Sequence, residues 1–286
     1  MCVSSICAWN NRLGNHLITI LNVLHYTYHY KFTKSIIFPN HPYFTINIPD
    51  INNSSQCICH CDNIIDLTRR INPCSDFFCI SITQMKYLYD KYIRYKLYNN
   101  IKKVSYNIAM HIRSGDIFGN NIHWEYVQPP FDYYFQGIIN NPNKSIVIVY
   151  ETIKNHPTWK NPIIDKLKEY VNNNNLKNVT FQSSSLNDDL NTLMCCEYLF
   201  TSYGTFCLVP YFVSPHIKKL IIPEYMVNKL RGKNWFKLTD ECLNKVKPIK
   251  ITKYINVGSW KNTPEQHNIM LTYKINNDEI YKFNCE

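Results

Sequence analysis

The chain has 286 residues, 45% of them hydrophobic, and a formal net charge of +10 at pH 7. A chain of this size can bury the core of one large or two modest domains, and its basic charge favours anionic partners. Because the Lys and Arg residues are spread along the chain instead of gathering in a block, the charge does not indicate a nucleic-acid-binding protein. The apolar run from Leu17 to Leu24 is far shorter than the ~20 residues of a membrane span, and Met1 to Trp9 lacks the basic start of a secretory leader, so we expect a soluble protein.

The first predicted elements are a strand, a helix and a second strand. After the short apolar segment from Val3 to Trp9, apolar residues recur at helix spacing at Leu13, Leu17, Leu21, Leu24 and Tyr28. A further apolar run, Ser35 to Phe38, ends at Pro39. This order of elements resembles the opening of a Rossmann-like domain.

The next segment, residues 40–76, is rich in Pro, Asn and Cys and shows little periodicity, so we predict irregular structure there. Five of the 12 cysteines lie between Cys57 and Cys79. A zinc site is one interpretation of this group, but its Cys-x-Cys-x-Cys spacing matches the usual CxxC pairs poorly, and free or paired thiols are the alternative. Cys195 and Cys196 lie in an apolar stretch and are predicted to be core thiols.

A regular alternation of strands and helices follows a helix that Ser81 and Gln84 begin as a capping box. The polar stretch Asn99 to Lys103 then marks a boundary. Strands are predicted at residues 106–111, 145–150, 178–181, 198–202 and 219–222, and helices at 131–139, 162–171, 186–197 and 206–213. Such alternation is typical of a parallel sheet covered on both faces, whereas no pattern is evident after Lys245. We therefore predict an α/β fold with two Rossmann-like domains and a cleft between them. The predicted units are residues 1–100, residues 104–245 and a C-terminal extension at 246–286.

The turn after the apolar run from Tyr106 to His111 carries the strongest functional signal. It reads Arg113-Ser-Gly-Asp116, which places a guanidinium at the carboxyl edge of a predicted sheet, where open α/β folds bind ligands. The planar fork of arginine can hold two phosphate oxygens at once. Neither GxGxxG nor GxxxxGK[ST] is present in this loop, so it supports neither a dehydrogenase nor an NTPase. A purely structural Arg113–Asp116 pair is the alternative.

Three more loops fall at predicted strand ends. In Arg12-Leu-Gly-Asn15, glycine permits close backbone approach and the following helix start offers N–H groups to an anion, although a simple helix-entry turn is the alternative. Glu151 follows a strand and could accept hydrogen bonds from a base or ribose, or cap the next helix. The loop from Thr201 to Phe206 could hold phosphate oxygens, or Thr205 could only cap a helix.

These segments resemble the fucosyltransferase superfamily, which includes the alpha-1,2-, alpha-1,6- and protein O-fucosyltransferases and related glycosyltransferases of giant DNA viruses. The segments that carry the resemblance are Arg12-Leu-Gly-Asn15, His111-Ile-Arg113-Ser-Gly-Asp116, and the stretch from Asp189 that ends in Phe200-Thr-Ser202-Tyr-Gly-Thr205-Phe206.

The resemblance implies a GT-B fold and inverting transfer of a sugar, most commonly fucose from GDP-fucose, to a hydroxyl group. It implies no required metal or other cofactor, and as partners the nucleotide sugar and a glycan or glycoprotein acceptor, but not nucleic acid. Residues 1–100 would lie on the acceptor side and residues 104–245 would bind the donor. The implied catalytic residues are Arg113 and Asp116, and the implied donor-binding residues are Arg12, Gly14, Asn15, His111, Glu151, Ser202, Gly204, Thr205 and Phe206.

The chain departs from the family pattern at His16, where the family has Gln, and at Ser114, where a second Arg is common. A nucleotide-sugar- or glycan-binding protein that has lost turnover is therefore the first alternative, and a basic nucleic-acid-binding module is the second. The general base is left open among Asp116, Glu125 and Glu151. We expect the protein in the cytoplasm of a virus-infected host cell.

Overall fold

The computed structural model of the protein describes residues 3–5, 13–30, 35–37, 40–47, 64–66, 81–96, 104–119, 122, 126–152, 159–226, 243–254, 256 and 259–286. Arg12, Glu125, the boundary at residues 99–103 and the cysteines from Cys57 to Cys79 lie outside these residues, so the predictions that concern them stay predictions. Within the described part of the chain, no helix is both long and apolar enough to cross a lipid bilayer.

The first half of the chain contains a small parallel sheet. Its strands are β1 (Val3–Ser5), β2 (Ser35–Ile37) and β4 (Ile64–Asp66), and β1 lies between the other two. Helix α1 (Leu13–Tyr30) connects β1 to β2 and buries Leu17, Leu21 and Leu24 completely. The predicted order of strand, helix and strand is confirmed.

A two-stranded antiparallel sheet pairs β3 (Phe44–Ile46) with β5 (Ile93–Tyr95). The prediction of irregular structure at residues 40–76 was therefore wrong for β3 and β4, because runs of three residues are too short to show a periodicity. Helix α2 (Ile82–Tyr92) follows β4 in the chain and leads directly into β5. The predicted capping box is confirmed, since Gln84 N donates to Ser81 Oγ and Ser81 N donates to Gln84 Oε1.

Six parallel strands form the main sheet. They are β6 (Tyr106–Ile112), β7 (Ile146–Tyr150), β8 (Val179–Gln182), β9 (Cys196–Phe200), β10 (Lys219–Pro223) and β11 (Val246–Ile249). The connecting helices are α3 (Phe131–Ile139), α4 (Pro162–Asn173), α5 (Leu186–Met194) and α6 (Leu208–Val213). All five strands and four helices predicted for this region are present, and with a parallel sheet in each half of the chain the predicted α/β class is confirmed. Helix α5 ends at Met194, three residues before its predicted end, because Cys196 already pairs with Tyr106 of β6.

The strand order of the main sheet is β8-β7-β6-β9-β10-β11. Counted from β6, this is the order 3-2-1-4-5-6 of the dinucleotide-binding folds. The chain runs outward from β6 to one edge of the sheet, then returns to add β9 on the other side of β6. The strand order therefore reverses between β6 and β9, and the loops after these two strands flank the crevice where such sheets bind ligands.

The C-terminal residues complete this half of the molecule. Beyond β11 they form α7 (Pro264–Thr272) and α8 (Asn277–Ile280), and they bury Trp260 and Phe283 against the rest of the fold. Sequence patterns predicted none of these elements after Lys245. The predicted boundary near residue 245 lies between β10 and β11, and these two strands pair with each other in the main sheet.

Candidate functional site

Arg113 lies at the switch point, one residue beyond the end of β6. Its Nη2 atom donates to Asp116, at 3.0 Å from Oδ2 and 3.4 Å from Oδ1, and its Cζ atom lies 4.0 Å from the centre of the Tyr126 ring. The carboxylate and the aromatic face hold the guanidinium in one orientation. Tyr126 was not identified from the sequence, since nothing in its neighbourhood marks it as a partner of Arg113.

Two other donors of Arg113, Nε and Nη1, also have informative surroundings, and Nη1 lies against the loop that follows β9. Its Nε atom is buried and has no hydrogen-bond partner among the described residues. A Cβ atom built on Gly204 would lie 2.8 Å from Nη1, and Gly204 has a φ of +130°, so only glycine fits against this guanidinium without strain. A buried charged donor without a partner is costly, so this arrangement favours the binding of an anionic acceptor here.

Ser114 and Asp116 have different surroundings although both belong to the predicted loop. Ser114 is buried and its Oγ accepts a hydrogen bond from Asn161 Nδ2, whereas Asp116 is a quarter exposed beside Arg113. The position at which the family often has a second Arg therefore points into the protein. Asn161 is a second contact that the sequence did not reveal.

His111 and Ser202 link the ends of β6 and β9. The His111 Nδ1 atom lies 2.7 Å from Ser202 Oγ, and the His111 and Phe206 rings lie 5.2 Å apart. Burial, aided by the positive charge of Arg113, lowers the pKa of His111 from 6.5 to about 3. The imidazole is therefore neutral near pH 7 and is too weak a base to be a good proton acceptor there.

The depressed pKa of His111 predicts a pH-dependent stability. Below pH 6.5 His111 is protonated in the unfolded chain but stays neutral in the folded protein down to about pH 3. The free energy of unfolding is therefore highest above pH 6.5 and decreases as the pH falls through this window. We expect His111→Gln to lose less of its free energy of unfolding than the wild type between pH 6.5 and 4, by at most about 1.4 kcal/mol per pH unit. Urea unfolding at a series of pH values measures this difference. Burial also lowers the pKa of His41 to about 4, but His41 is present in both proteins, so equal slopes would contradict the assignment to His111.

The start of α1 lies directly against the loop after β9. The Thr205 hydroxyl donates to Asn15 Oδ1 at 2.6 Å, and a Cβ atom on Gly14 would lie 2.3 Å from the carbonyl carbon of Thr205. Gly14 is thus required for close approach of two backbones within the protein. Thr205 does not cap α6, whose N-cap is Cys207.

Glu151 lies exposed at the end of β7, the strand next to β6. It does not cap the helix that follows, since Asn161 Oδ1 accepts from Ile163 N at the start of α4. A ligand-binding role for Glu151 stays a prediction. The structure thus brings together His111, Arg113, Asp116, Ser202, Gly204, Thr205 and Phe206 with Gly14 and Asn15, and leaves Glu151 at the neighbouring strand end.

In the part of the chain that the structure describes, no group of three or more His, Cys, Asp or Glu side chains could hold a metal ion. Cys195 and Cys196 are both buried as thiols, which confirms the predicted core thiols.

Fold and site together define an α/β protein of Rossmann strand order with a guanidinium at its switch point. No protein-family model matches the chain, and no curated protein matches it. Among solved structures, the chain is similar to E. coli heptosyltransferase WaaC with ADP, with 8% sequence identity and a TM-score of 0.43 over 91% of this chain and 96% of that chain. The α/β assignment rests on the strand order of the chain itself.

Proposed function

We propose that the protein is a GT-B glycosyltransferase that transfers a sugar from a nucleotide sugar, with GDP-fucose as the first candidate, to a hydroxyl group of a glycan or protein. The observation that carries the proposal is the position of Arg113. Its guanidinium is held at the switch point of a sheet of Rossmann order, with a buried Nε that lacks a partner among the described residues and with the Gly204 loop against Nη1.

Two features of this position favour a diphosphate. The crevice between the ends of β6 and β9 is where sheets of this order bind nucleotides, and a guanidinium offers several parallel N–H donors to phosphate oxygens. The basic net charge of +10 also favours an anionic substrate. The carboxylate of Asp116 compensates part of the Arg113 charge while it fixes the orientation of the side chain.

The proposed reaction is a single inverting displacement. An acceptor hydroxyl oxygen attacks the anomeric carbon of the donor sugar, the bond from that carbon to the diphosphate oxygen breaks, and its electron pair leaves with the nucleoside diphosphate. The negative charge that develops on the leaving group lies next to Arg113, which would stabilise it without a metal ion.

The proton of the acceptor hydroxyl needs a base, and the described residues narrow the choice. Asp116 faces Arg113 Nη2 with both oxygens, so we assign it an orienting role. Neutral His111 with a pKa of about 3 is a weak base. Glu151, which is exposed at a strand end, and Glu125, which lies outside the described residues, stay the candidates for the general base.

Fucose and GDP are proposed from the resemblance of the sequence motifs alone. The position at which the family often has a second Arg is here Ser114, which is buried against Asn161, so the loop offers the diphosphate a single arginine, Arg113. We therefore expect the affinity for the donor to depend strongly on Arg113.

Thermal unfolding with nucleotides tests the proposal first, since a ligand that binds only the folded state raises the melting temperature. We expect GDP and GDP-fucose to raise Tm, UDP and UDP-sugars to raise it less, and EDTA to change neither result. At 100 times Kd, a ligand stabilises the fold by about 2.7 kcal/mol. This corresponds to a Tm rise of roughly 5–10 °C for a chain of this size.

Two outcomes would favour a different function. No shift with any nucleotide, together with salt-dependent binding of oligonucleotides, would contradict the proposal and favour a nucleic-acid-binding module. Stabilisation by GDP-fucose without release of GDP in the presence of any acceptor would instead identify a binding protein of the same fold.

A further inference from the structure

The loop that carries Arg113 and Asp116 is held by side chains from two distant parts of the chain. Asn161, at the start of α4, donates from Nδ2 to the carbonyl oxygen of Arg113 at 3.0 Å. Trp260 Nε1 donates to the carbonyl oxygen of Ile117 at 2.7 Å, and Asn262 Nδ2 donates to that of Phe118 at 2.9 Å. We call these three donors, Asn161, Trp260 and Asn262, the carbonyl clamp.

The clamp acts on a loop with few backbone contacts of its own. Residues Gly115–Phe118 form a single short turn of 3₁₀-helix, which is closed by the bond from Gly119 N to Asp116 O. Short 3₁₀ segments have poor hydrogen-bond geometry and are weakly stable alone. The orientation of a loop of this kind must come from the groups that surround it.

Two members of the clamp are themselves rigidly placed. Asn161 and Trp260 are almost fully buried, and Asn161 also caps α4 by accepting from Ile163 N. The Trp260 ring packs on the rings of Phe118 and His267.

Asn262 has a left-handed backbone with a φ of 59°, and its Oδ1 atom lies 2.6 Å from His267 Nε2. The side chain is thus fixed from both ends. The donors that meet the loop are therefore fixed before any ligand arrives.

We infer that the carbonyl clamp positions Arg113 for the diphosphate, so that Asn161, Trp260 and Asn262 are positioning residues of the proposed site. The segment at residues 259–263, which precedes α7, is by this inference part of the ligand-binding machinery. The inference rests on the proposed function, because it assigns the clamp to the same diphosphate. Preorganisation of the cation limits the entropy that ligand binding would otherwise lose in ordering the loop.

Asn161→Asp keeps the helix cap and removes the donor to the loop. Aspartate caps helices as well as asparagine does, so the bond from Ile163 N is kept, but it cannot donate to the carbonyl of Arg113 or to Ser114 Oγ. We expect GDP binding that is roughly five- to tenfold weaker, and a Tm below that of the wild type, because the new carboxylate is charged at a buried position.

Asn161→Ser is the matched control for charge. Serine also caps helices, carries no charge and is too short to reach the Arg113 carbonyl. GDP binding should therefore weaken by a similar factor, while Tm falls by only a few degrees at most, roughly 3 °C. A loss in Asn161→Asp alone would show repulsion between the new charge and the ligand, and would overturn the inference.

Asn262→Gly tests the opposite side of the loop. Glycine keeps the left-handed backbone at this position without strain and removes the donor to Phe118. Amide hydrogen exchange of residues 115–119 without ligand should be faster than in the wild type in Asn262→Gly and in both Asn161 variants, because the loop opens more often.

The outcomes distinguish the clamp from the proposed function. If the wild type binds GDP, Arg113→Ala loses it, and the clamp variants bind as the wild type does with unchanged amide exchange, the clamp is wrong and the site stands. If the wild type and Arg113→Ala respond to GDP alike, the proposed function fails. If the clamp variants nevertheless exchange faster, the clamp does stabilise the loop, but its assignment to a diphosphate is overturned.

Discussion

Replacement of Arg113 by alanine is expected to abolish sugar transfer and to weaken GDP binding by roughly 10- to 100-fold, while the protein stays folded. Each hydrogen bond to a charged partner contributes about 1.5–3 kcal/mol, and every 1.4 kcal/mol changes Kd tenfold. The cost to the fold should be modest, because Asp116 is a quarter exposed to solvent and the substitution also removes the buried Nε that has no partner among the described residues. Titration calorimetry with GDP and thermal unfolding without ligand measure the two effects separately.

Two further variants make the Arg113 result specific. Arg113→Lys keeps the charge but loses the planar fork and the stacking on Tyr126, so its GDP affinity should lie between those of the wild type and the alanine variant. Arg94→Ala removes an exposed guanidinium whose hydrogen bonds, among the described residues, go to the nearby backbone carbonyls of Asp90 and Ile93, and it should bind GDP as the wild type does. Undiminished GDP binding by Arg113→Ala would show that the anion lies elsewhere.

The main sheet could be predicted because its strands are buried on both faces. In β6 and β7, residues 108–110 and 146–148 are completely buried, so they appear in the sequence as apolar runs that end at polar turns. The intervening helices have a clear apolar face, as in α4, where Ile163, Leu167 and Val171 are buried. Local patterns of this kind are sufficient for the alternation, and the alternation is sufficient for a parallel sheet.

The strands that were missed are short or lie at a sheet edge. β11 reads Val-Lys-Pro-Ile, and a proline within a strand argues against its assignment because it cannot donate to a neighbour. The structure places Pro248 in a strand that pairs only with β10 among the described strands, so the missing donor can face away from the sheet. Residues 246–249 form a strand because they pair with β10, which lies more than twenty residues earlier in the chain, and a local sequence pattern does not contain that information.

The site could be predicted at the strand ends but not in its supports. His111, Arg113 and Ser202 each follow an apolar run, and the parallel sheet brings these ends to one edge. The clamp residue Trp260, in contrast, reaches the loop from 143 positions away, and its sequence neighbours show no sign of this. Gly14 was identified for its permissive backbone, but its partner is the backbone of Thr205, which only the packing of α1 on α6 reveals.

Gly14→Ala is expected to lower the free energy of unfolding by roughly 1–3 kcal/mol, as overpacking of a buried contact does. The new Cβ atom would lie 2.3 Å from the carbonyl carbon of Thr205 and 2.5 Å from Phe206 N, and backbone atoms cannot move aside as the end of a side chain can. Alanine is a better helix former than glycine by up to about 1 kcal/mol, which opposes this loss, but the gain is small in the first turn of α1. The cost of the clash should therefore exceed the gain in helix propensity. Urea unfolding measures the net change in the free energy of unfolding.

The same substitution should also weaken GDP binding, because the loop that the Cβ atom displaces continues directly to Gly204 beside Arg113. Gly137→Ala in α3 is the matched control. Its Cβ atom would meet Met110 Cε at 2.6 Å and the ring of Phe200 at 2.9 Å, but these are side-chain atoms, the methionine end is flexible, and the backbone of the Thr205 loop is not among the nearest atoms. We expect it to lose less stability than Gly14→Ala and to keep its GDP affinity. If Gly14→Ala were as stable as the wild type and bound GDP equally well, α1 would not press on the loop after β9, and the N-terminal half of the chain would have no part in the donor site.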